Sequence, residues 1–490
     1  MSLPYFPVVD HTIMLNFIEI FLCCFESCFS RKAAFRWFVT ITIGLMLRSD
    51  KLGITSIIRD LALAPGCYDA MLHFFRASSW SLDDIRKRWF SAVREHAPLY
   101  KEGDLYVLAG DGVKQPKEGR RIPGVKKLFQ ESENSAKPQY IHGHMFGGLG
   151  ILAGGGRNLA CIPLSIRLHD GLQAAREWKD AAVSSVSHVI QMVEDAYQAA
   201  LIFGDSLLLL DRYFLSVPAL EKLKLLNSNG DVRMEIVTKA KKFCTAYEKP
   251  GPRRPGRGRP PKKGAAVRLK ELFASHKEQF QDAEIELYGK KESVRYYCID
   301  LLWGQKLYQE LRFVLVEMNG VQSILASTSL ALEPLSIIRL YSYRFRIECT
   351  FRELKQQVGA FCYHFWSKHM PKLNYYLKKG EPTPLEQVEN EHARRKVLDA
   401  VRAIEMHMLL SCIAMGILQS LSIRFIGKVG SSQIRYQRTP SKGRVSEAAL
   451  IHYFRKYFFR LLEQKPKSCI TQIIHELQAE SEEQWDLLAS

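Results

Sequence analysis

The chain has 490 residues, enough for about two to four domains and a large buried core. Its 47% hydrophobic and 24% charged residues are those of a folded soluble protein rather than a disordered one. A formal net charge of +18 calls for a polyanionic partner, either nucleic acid or an anionic membrane surface. A membrane span needs roughly 20 continuous apolar residues. The runs TIMLNFIEIFLCCF and FVTITIGLML are too short or carry Asn and Glu, so both are expected as buried helices with no membrane partner. The opening MSLPYFPVVDHT lacks the basic stretch, apolar stretch and cleavage site of a signal peptide, which predicts a cytoplasmic protein. Eleven scattered cysteines without a CxxC pair, with Cys23, Cys24 and Cys28 in an apolar helical pattern, read as reduced core thiols.

Residues 12 to about 100 read as helical, with apolar residues at three- and four-residue intervals. Within them, GITSIIRDLALAPGCYDAMLHFFRAS predicts two helices around Pro65-Gly66, either a DNA-binding helix-turn-helix or a plain helical hairpin. Strand signals begin near residue 104: DLYVLAGD is apolar on both faces, and YIHGHMFGGLGILAGGGRNLACIPLSIRL reads as a hairpin turning at Gly154 to Asn158. A long amphipathic helix is predicted over 172 to 200, then the buried strand SLLLLD, the helix VPALEKLKLLN and the strand DVRMEIVT. Together these make an α/β core. Between residues 239 and 270 twelve Lys or Arg stand against one acid, Glu248. The runs SVRYYCIDLLW and ELRFVLVEMNGVQSILAST follow, with Asn319-Gly320 as a hairpin turn. The remainder is helical, and residues 430 to 445 are expected as a basic loop. The expected regions are therefore 1–100, helical and DNA-binding; 101–238, the first part of the core; 239–330, a basic loop and β-rich insertion; 331–425, the second part of the core; and 426–490, helical.

Tyr341, Arg344, Glu348 and Lys355 stand at the spacing Y-x2-R-x3-E-x6-K. On one helix, at about 100° per residue, they fall within an arc of roughly 60°, which puts a carboxylate, two cations and a phenol on one stripe. Leu340, Ile347, Phe351 and Leu354 form the adjoining apolar stripe. Asp111 and Asp211 each end an apolar strand. Alone, each reads as a turn or cap residue. Two strand-end acids and one on a helix facing the sheet match the oxygen ligands that two Mg²⁺ ions require. Two such ions ~3.5–4 Å apart activate an attacking oxygen and stabilise a leaving one at phosphorus. Arg344 and Lys355 are then placed to hold phosphates. His142 and His144 share a strand face but lack a third ligand, so they read as structural. Phe361, Tyr363, Phe365 and Trp366 read as an aromatic core cluster.

This set of positions resembles the DDE transposases of bacterial insertion sequences, in the large branch marked by the Y-x2-R-x3-E-x6-K signature. The resemblance covers roughly residues 50 to 425. It implies an α/β fold with a ribonuclease H-like core interrupted by a β-rich insertion, between helical N- and C-terminal regions. It further implies that Asp111, Asp211 and Glu348 are catalytic and bind two Mg²⁺ ions, with Mn²⁺ as a substitute, and that Tyr341, Arg344 and Lys355 contact DNA beside the scissile phosphate. Its members cut transposon ends and join the 3′-hydroxyls to target DNA, so the implied partners are double-stranded DNA (terminal inverted repeats and target) and a second copy of the chain on that DNA. One departure is Tyr213, where the family often has a small residue two places after the second Asp; Asp205 is the fallback for that ligand. Arg257-Gly258-Arg259-Pro260 resembles an AT-hook core, and these arginines with Lys262 and Lys263 are expected on DNA, by groove insertion or by phosphate contact from a flexible linker. Trp303 is read as a core residue, with stacking on a displaced base as its functional alternative. The competing functions are a ribonuclease H-fold nuclease without strand transfer and a DNA-binding descendant that has lost catalysis.

Overall fold

A computed structural model describes residues 12–51, 53–130, 138–178, 186–251, 261–378, 380–425 and 445–478. Five helices open the chain: α1 (Thr12–Cys23), α2 (Lys32–Leu47), α3 (Thr55–Asp60), α4 (Cys67–Phe74) and α5 (Leu82–His96). α3 and α4 flank the Pro65-Gly66 break, as their sequence predicts. α5 is capped by Ser81, which accepts from the Asp84 amide, and it places Asp83 and Asp84 in its first turn, where the helix dipole favours negative charge.

The core begins with β1 (Lys101–Glu102), β2 (Leu105–Pro116), β3 (Lys126–Phe129), β4 (Tyr140–Ala153) and β5 (Ala160–Leu168). β2 pairs antiparallel with β4, and one edge of β4 takes β3 near its start and β5 along the rest. The helix expected over 172 to 200 is instead a short α6 (Gln173–Glu177) and a separate α7 (His188–Phe203). α7 starts where the Ser187 side chain accepts from the Ile190 amide, a local cap that hydrophobic periodicity alone does not reveal. β6 (Ser206–Leu209), α8 (Val217–Asn229) and β7 (Met234–Lys239) follow, with β6 parallel to both β2 and β7. The order β5-β4-β2-β6-β7, in which β4 runs against its neighbours and helices cross between the parallel strands, is a ribonuclease H-like core.

The β-rich insertion contributes β8 (Thr245–Tyr247), β9 (Ala266–Arg268), α9 (Leu272–Ser275), β10 (Gln281–Leu287), β11 (Lys290–Trp303), β12 (Gln309–Met318) and β13 (Val321–Ser327). β13 pairs antiparallel with β7, so the insertion extends the core sheet into a single sheet of 13 strands. Asn319 and Gly320 both have positive φ, at 49° and 75°, as a tight hairpin turn between β12 and β13 demands. A small second core lies under this extension, and Trp303 packs on it with its Nε1 donating to Cys244 Sγ at 3.1 Å. That is the structural role its sequence context favours.

The chain then returns to the core as α10 (Pro334–Tyr343), α11 (Phe345–Glu353) and a π-helical turn over Leu354–Val358. α12 (Glu391–Arg424) is long and apolar enough to cross a membrane, but its apolar window is entirely buried within the protein. It packs against β5, α2, α5 and α13 (Glu447–Gln464) as the central helix of the main core. All eleven cysteines are free thiols.

Candidate active site

Asp111 and Asp211 meet through strand register. β2 and β6 run parallel with Ala109 opposite Leu209, and each aspartate lies two residues further on. Adjacent strands are roughly 4.8 Å apart, so the two carboxylates emerge side by side. Asp111 does not end its strand: β2 continues to Pro116 against β4, and only the parallel pairing with β6 stops before it. Beyond that point β6 no longer covers β2, which opens the edge where the carboxylates stand. Asp211 Oδ1 accepts from the Arg212 amide at 2.7 Å, and its carbonyl accepts from Thr238 Oγ1 at 2.9 Å, which ties it to β7. Asp205 lies at the opposite end of β6, where its Oδ1 accepts from the Arg233 amide at 2.8 Å.

Glu348 arrives from α11, which packs on β5 and β2. Thr350 Oγ1 donates to Cys161 O at 2.7 Å, and the Phe351 ring lies against Gly148, the cross-strand partner of Asp111. A Cβ on Gly148 would come within 2.5 Å of that ring, so the absence of a side chain lets α11 approach the sheet on the face that carries Asp111. The predicted apolar stripe is buried, from 0% exposure at Leu340 and Leu354 to 7% at Phe351.

The polar stripe is not one uninterrupted α-helix. α10 ends at Tyr343, and Arg344 joins it to α11 with φ −51° and ψ −36°, still right-handed, so Tyr341, Arg344 and Glu348 keep a common face. Lys355 falls in the π-helical turn, whose wider winding changes the phase, and its ammonium stands 5.3 Å from the Phe361 ring centroid. Uniform spacing of 100° per residue misses this because a π turn depends on what the helix end packs against.

Arg344 is the centre of the cluster. Its Nη1 donates to Asp111 Oδ2 at 3.1 Å and its Nη2 to Glu348 Oε1. Burial pushes the Asp111 carboxyl up to about 6, with Arg344 and the Gly112 amide opposing and the Glu348 and Asp211 charges reinforcing the rise. The same two carboxylates hold Arg344 above the usual guanidinium range despite the opposing effect of burial. Tyr341 is pushed up to about 12, mainly by burial, and shares a hydrogen bond with Arg344 beside Asp211. Sequence reasoning missed Tyr288, at the β10–β11 turn, whose hydroxyl feels the charges of both Arg344 and Glu348. Its signal was the Tyr288-Gly289 pair between two strand-like runs, both at positive φ.

Asp111, Asp211, Glu348, Tyr341 and Arg344 are thus brought together. Lys263 is not among them; its ammonium lies over the Tyr247 ring at 3.8 Å and near Tyr308 at 5.3 Å in the sheet extension. Lys262 is exposed at the start of the same segment, and Arg257 and Arg259 lie outside the described residues. His144 is structural: buried, pushed down to about 4 by burial, and held at 2.8 Å from Pro123 O and 2.5 Å from the Tyr363 hydroxyl. Tyr213 is exposed and packs edge-on against Phe214.

Asp111, Asp211 and Glu348 offer only oxygen donors, the chemistry that suits a hard divalent cation, but in this structure their oxygens are not all drawn to within 4.8 Å of one another, and Arg344 compensates the charge of Asp111 and Glu348. A ribonuclease H-like sheet carrying such a set defines a metal-dependent nuclease. Residues 24–289 match the family model of the DDE superfamily endonucleases, more than half of the chain and a span that includes Asp111 and Asp211. The chain belongs to the DDE superfamily endonucleases. No protein of curated function matches it.

Proposed function

We propose that the protein is the transposase of an insertion sequence, which cuts its element's ends and joins the freed 3′-hydroxyls to target DNA. Asp111, Asp211 and Glu348 are its metal ligands, with Mg²⁺ the resident ion and Mn²⁺ a substitute. The observation that carries this reading is Arg344, which joins Asp111 to Glu348 from within a complete Y-x2-R-x3-E-x6-K signature. When bound, the divalent ions activate the attacking oxygen and stabilise the leaving oxygen in an in-line displacement.

The chain's own residues position the substrate. Arg344 offers a planar pair of donors that suits a phosphate once cations neutralise its carboxylate partners. Tyr341 remains protonated through the neutral range and serves as a hydrogen-bond donor rather than a base. Lys355, turned out of the stripe by the π-helical turn, is assigned a phosphate contact by the signature alone. The sites of action are terminal repeats and target DNA, the working form is a homodimer on DNA, and the location is the cytoplasm.

The test incubates purified protein and Mg²⁺ with DNA that carries the gene's flanking sequence, using wild type beside Glu348→Ala. Wild type cuts at a discrete flank position and joins a pre-cut 3′-hydroxyl end to a target plasmid. Glu348→Ala does neither yet binds the DNA within about twofold, because affinity comes mainly from phosphate contacts. Cutting without joining returns the reading to a nuclease, and binding without cutting by wild type returns it to a silent descendant.

A further inference from the structure

The aromatic run after the catalytic helix does not all face the core. From Phe361 to Trp366 burial alternates: Phe361 and Tyr363 are 3% exposed, whereas His364 is exposed and Trp366 is 58% exposed. The expectation of an aromatic core cluster therefore fails at Trp366, where this segment, outside any helix or strand, turns its side chain away from the core that holds Phe361 and Tyr363. An indole exposed to this extent is unusual for a residue whose burial drives folding.

Its surroundings are equally uneven. Trp366 lines a pocket of about 330 Å³ with Gly119, Arg120, Arg121, Ile122, His364 and Lys372, and among the described residues no acidic side chain lines it. The walls are braced by backbone bonds: the Ser367 amide donates to Arg121 O at 3.2 Å and the Leu373 amide to Arg120 O at 2.7 Å. Arg121 Nη1 donates to Lys368 O at 2.9 Å, and the Arg120 guanidinium lies over the Tyr375 ring at 4.7 Å. Lys117 anchors the base of the run by donating to Phe361 O at 2.7 Å and Tyr363 O at 3.0 Å. These bonds tie the backbone of the pocket's two walls together.

It also lies downstream of the proposed active site on two elements at once. β2 runs on from Asp111 to Pro116, about 17 Å at ~3.3 Å per residue, and the chain reaches Arg120 four residues later. The helix that carries Glu348 ends at Val358, and Trp366 follows eight residues on. Both walls of the pocket are therefore reached within a few residues of elements that carry Asp111 and Glu348.

We propose that the pocket binds unpaired DNA, with one base stacked on Trp366 and the neighbouring phosphates held by Arg120, Arg121 and Lys372. An exposed indole offers its π-face to any base, while the surrounding cations attract the backbone, so the site takes single strand with little regard to sequence. A duplex keeps its bases stacked on one another and gains only the phosphate contacts. The proposal rests on the reading of this chain as an enzyme that acts on DNA, and it assigns that enzyme a strand-separating contact away from the carboxylates.

The experiment uses the full chain in EDTA, so that no cleavage occurs. A fluorescein-labelled 20-nucleotide single strand of mixed sequence and its duplex are titrated by anisotropy against wild type, Trp366→Ala, Trp366→Phe and Lys372→Ala. Trp366→Ala weakens single-strand binding about tenfold, roughly one lost base stack, and leaves duplex binding within about twofold, whereas Trp366→Phe retains most of the affinity. Lys372→Ala reduces the slope of log affinity against log salt by about one. A 2-aminopurine placed in the single strand is quenched by wild type and not by Trp366→Ala, which separates stacking from any change in folding. Equal single-strand affinity for wild type and Trp366→Ala, equal losses on single strand and duplex, or a loss of self-association with DNA binding intact would each overturn the proposal. Failure of metal-dependent cleavage would be seen in the Glu348→Ala comparison and not in this one.

Discussion

Arg48 couples the N-terminal helices to the helix that carries Glu348, and its removal is the sharpest test of how that helix is held. The side chain is 1% exposed, and among the described residues its hydrogen bonds go to backbone carbonyls. Its Nε donates to Val358 O at 3.1 Å, its Nη2 to Gly359 O at 3.1 Å and also to Val358 O, and its Nη1 to Gly53 O at 2.7 Å. Two of these three carbonyls close the π-helical turn that follows α11, where a cation complements the partial negative charge of the helix end. Burial alone lowers the guanidinium's proton affinity, so the site carries a real desolvation cost. Arg48→Met fills the space but takes the guanidinium donor from the buried Val358 carbonyl and the half-buried Gly53 carbonyl, at about 1–3 kcal/mol each, while Gly359 O keeps the Cys362 amide at 3.0 Å. Relief of the buried charge offsets part of that sum, for a net loss of about 2 kcal/mol. Urea unfolding followed by far-UV circular dichroism measures it as a fall in midpoint at constant slope. Arg455 provides the internal control: its Nε donates to Leu47 O at 2.7 Å and its Nη2 to Arg48 O, in a less buried setting. Arg455→Met is therefore expected to lose about 1 kcal/mol. If Arg48→Met stays within about 0.5 kcal/mol of wild type, or loses less than Arg455→Met, the clamp is not what holds the helix end.

Asp111→Asn tests the electrostatics of the carboxylate cluster. Its carboxyl rises from 3.8 to about 6 on folding, so between those pH values the folded chain holds a proton the unfolded chain has lost. Stability then falls as pH rises. The contribution is complete below pH ~4 and gone above ~6, so in EDTA the variant matches wild type at the acid end and exceeds it by about 1–3 kcal/mol at pH 8. A difference that does not change with pH would refute this assignment. On the proposed assignment, Mg²⁺ is expected to raise the melting temperature of wild type but not of Asp111→Asn, because a ligand stabilises only a folded state that binds it. Gly148→Ala puts a methyl 2.5 Å from Phe351 and forces α11 away from the sheet. The expected cost is about 1–3 kcal/mol, together with a loss of DNA cleavage that Phe351→Leu partly restores.

Much of this was legible because the relevant periodicities are local. The 3.6-residue repeat placed Leu340, Ile347, Phe351 and Leu354 on one buried face and Glu348 with Arg344 on the next. Two apolar strands ending near Asp111 and Asp211 announced the core, and Asn319-Gly320 announced a hairpin. Local pattern failed wherever a distant partner decided the outcome. The start of α7 depends on the Ser187 cap, and the phase of Lys355 depends on a π turn closed by Arg48 from 307 positions earlier in the chain.

The order of residues by itself determined the helices, the strands, the apolar faces and the chemical character of the site, since each follows from propensity and spacing within about 15 neighbours. Tertiary structure decided which groups meet. Only the parallel register of β2 and β6 sets Asp111 beside Asp211, and only the bare backbone of Gly148 lets α11 bring Glu348 to them. Only the pairing of β13 with β7 turns the insertion into more of the same sheet and carries Tyr288 to the site. Strand partners and helix approach are chosen by burial summed over the whole core, an energy that no short window of sequence contains.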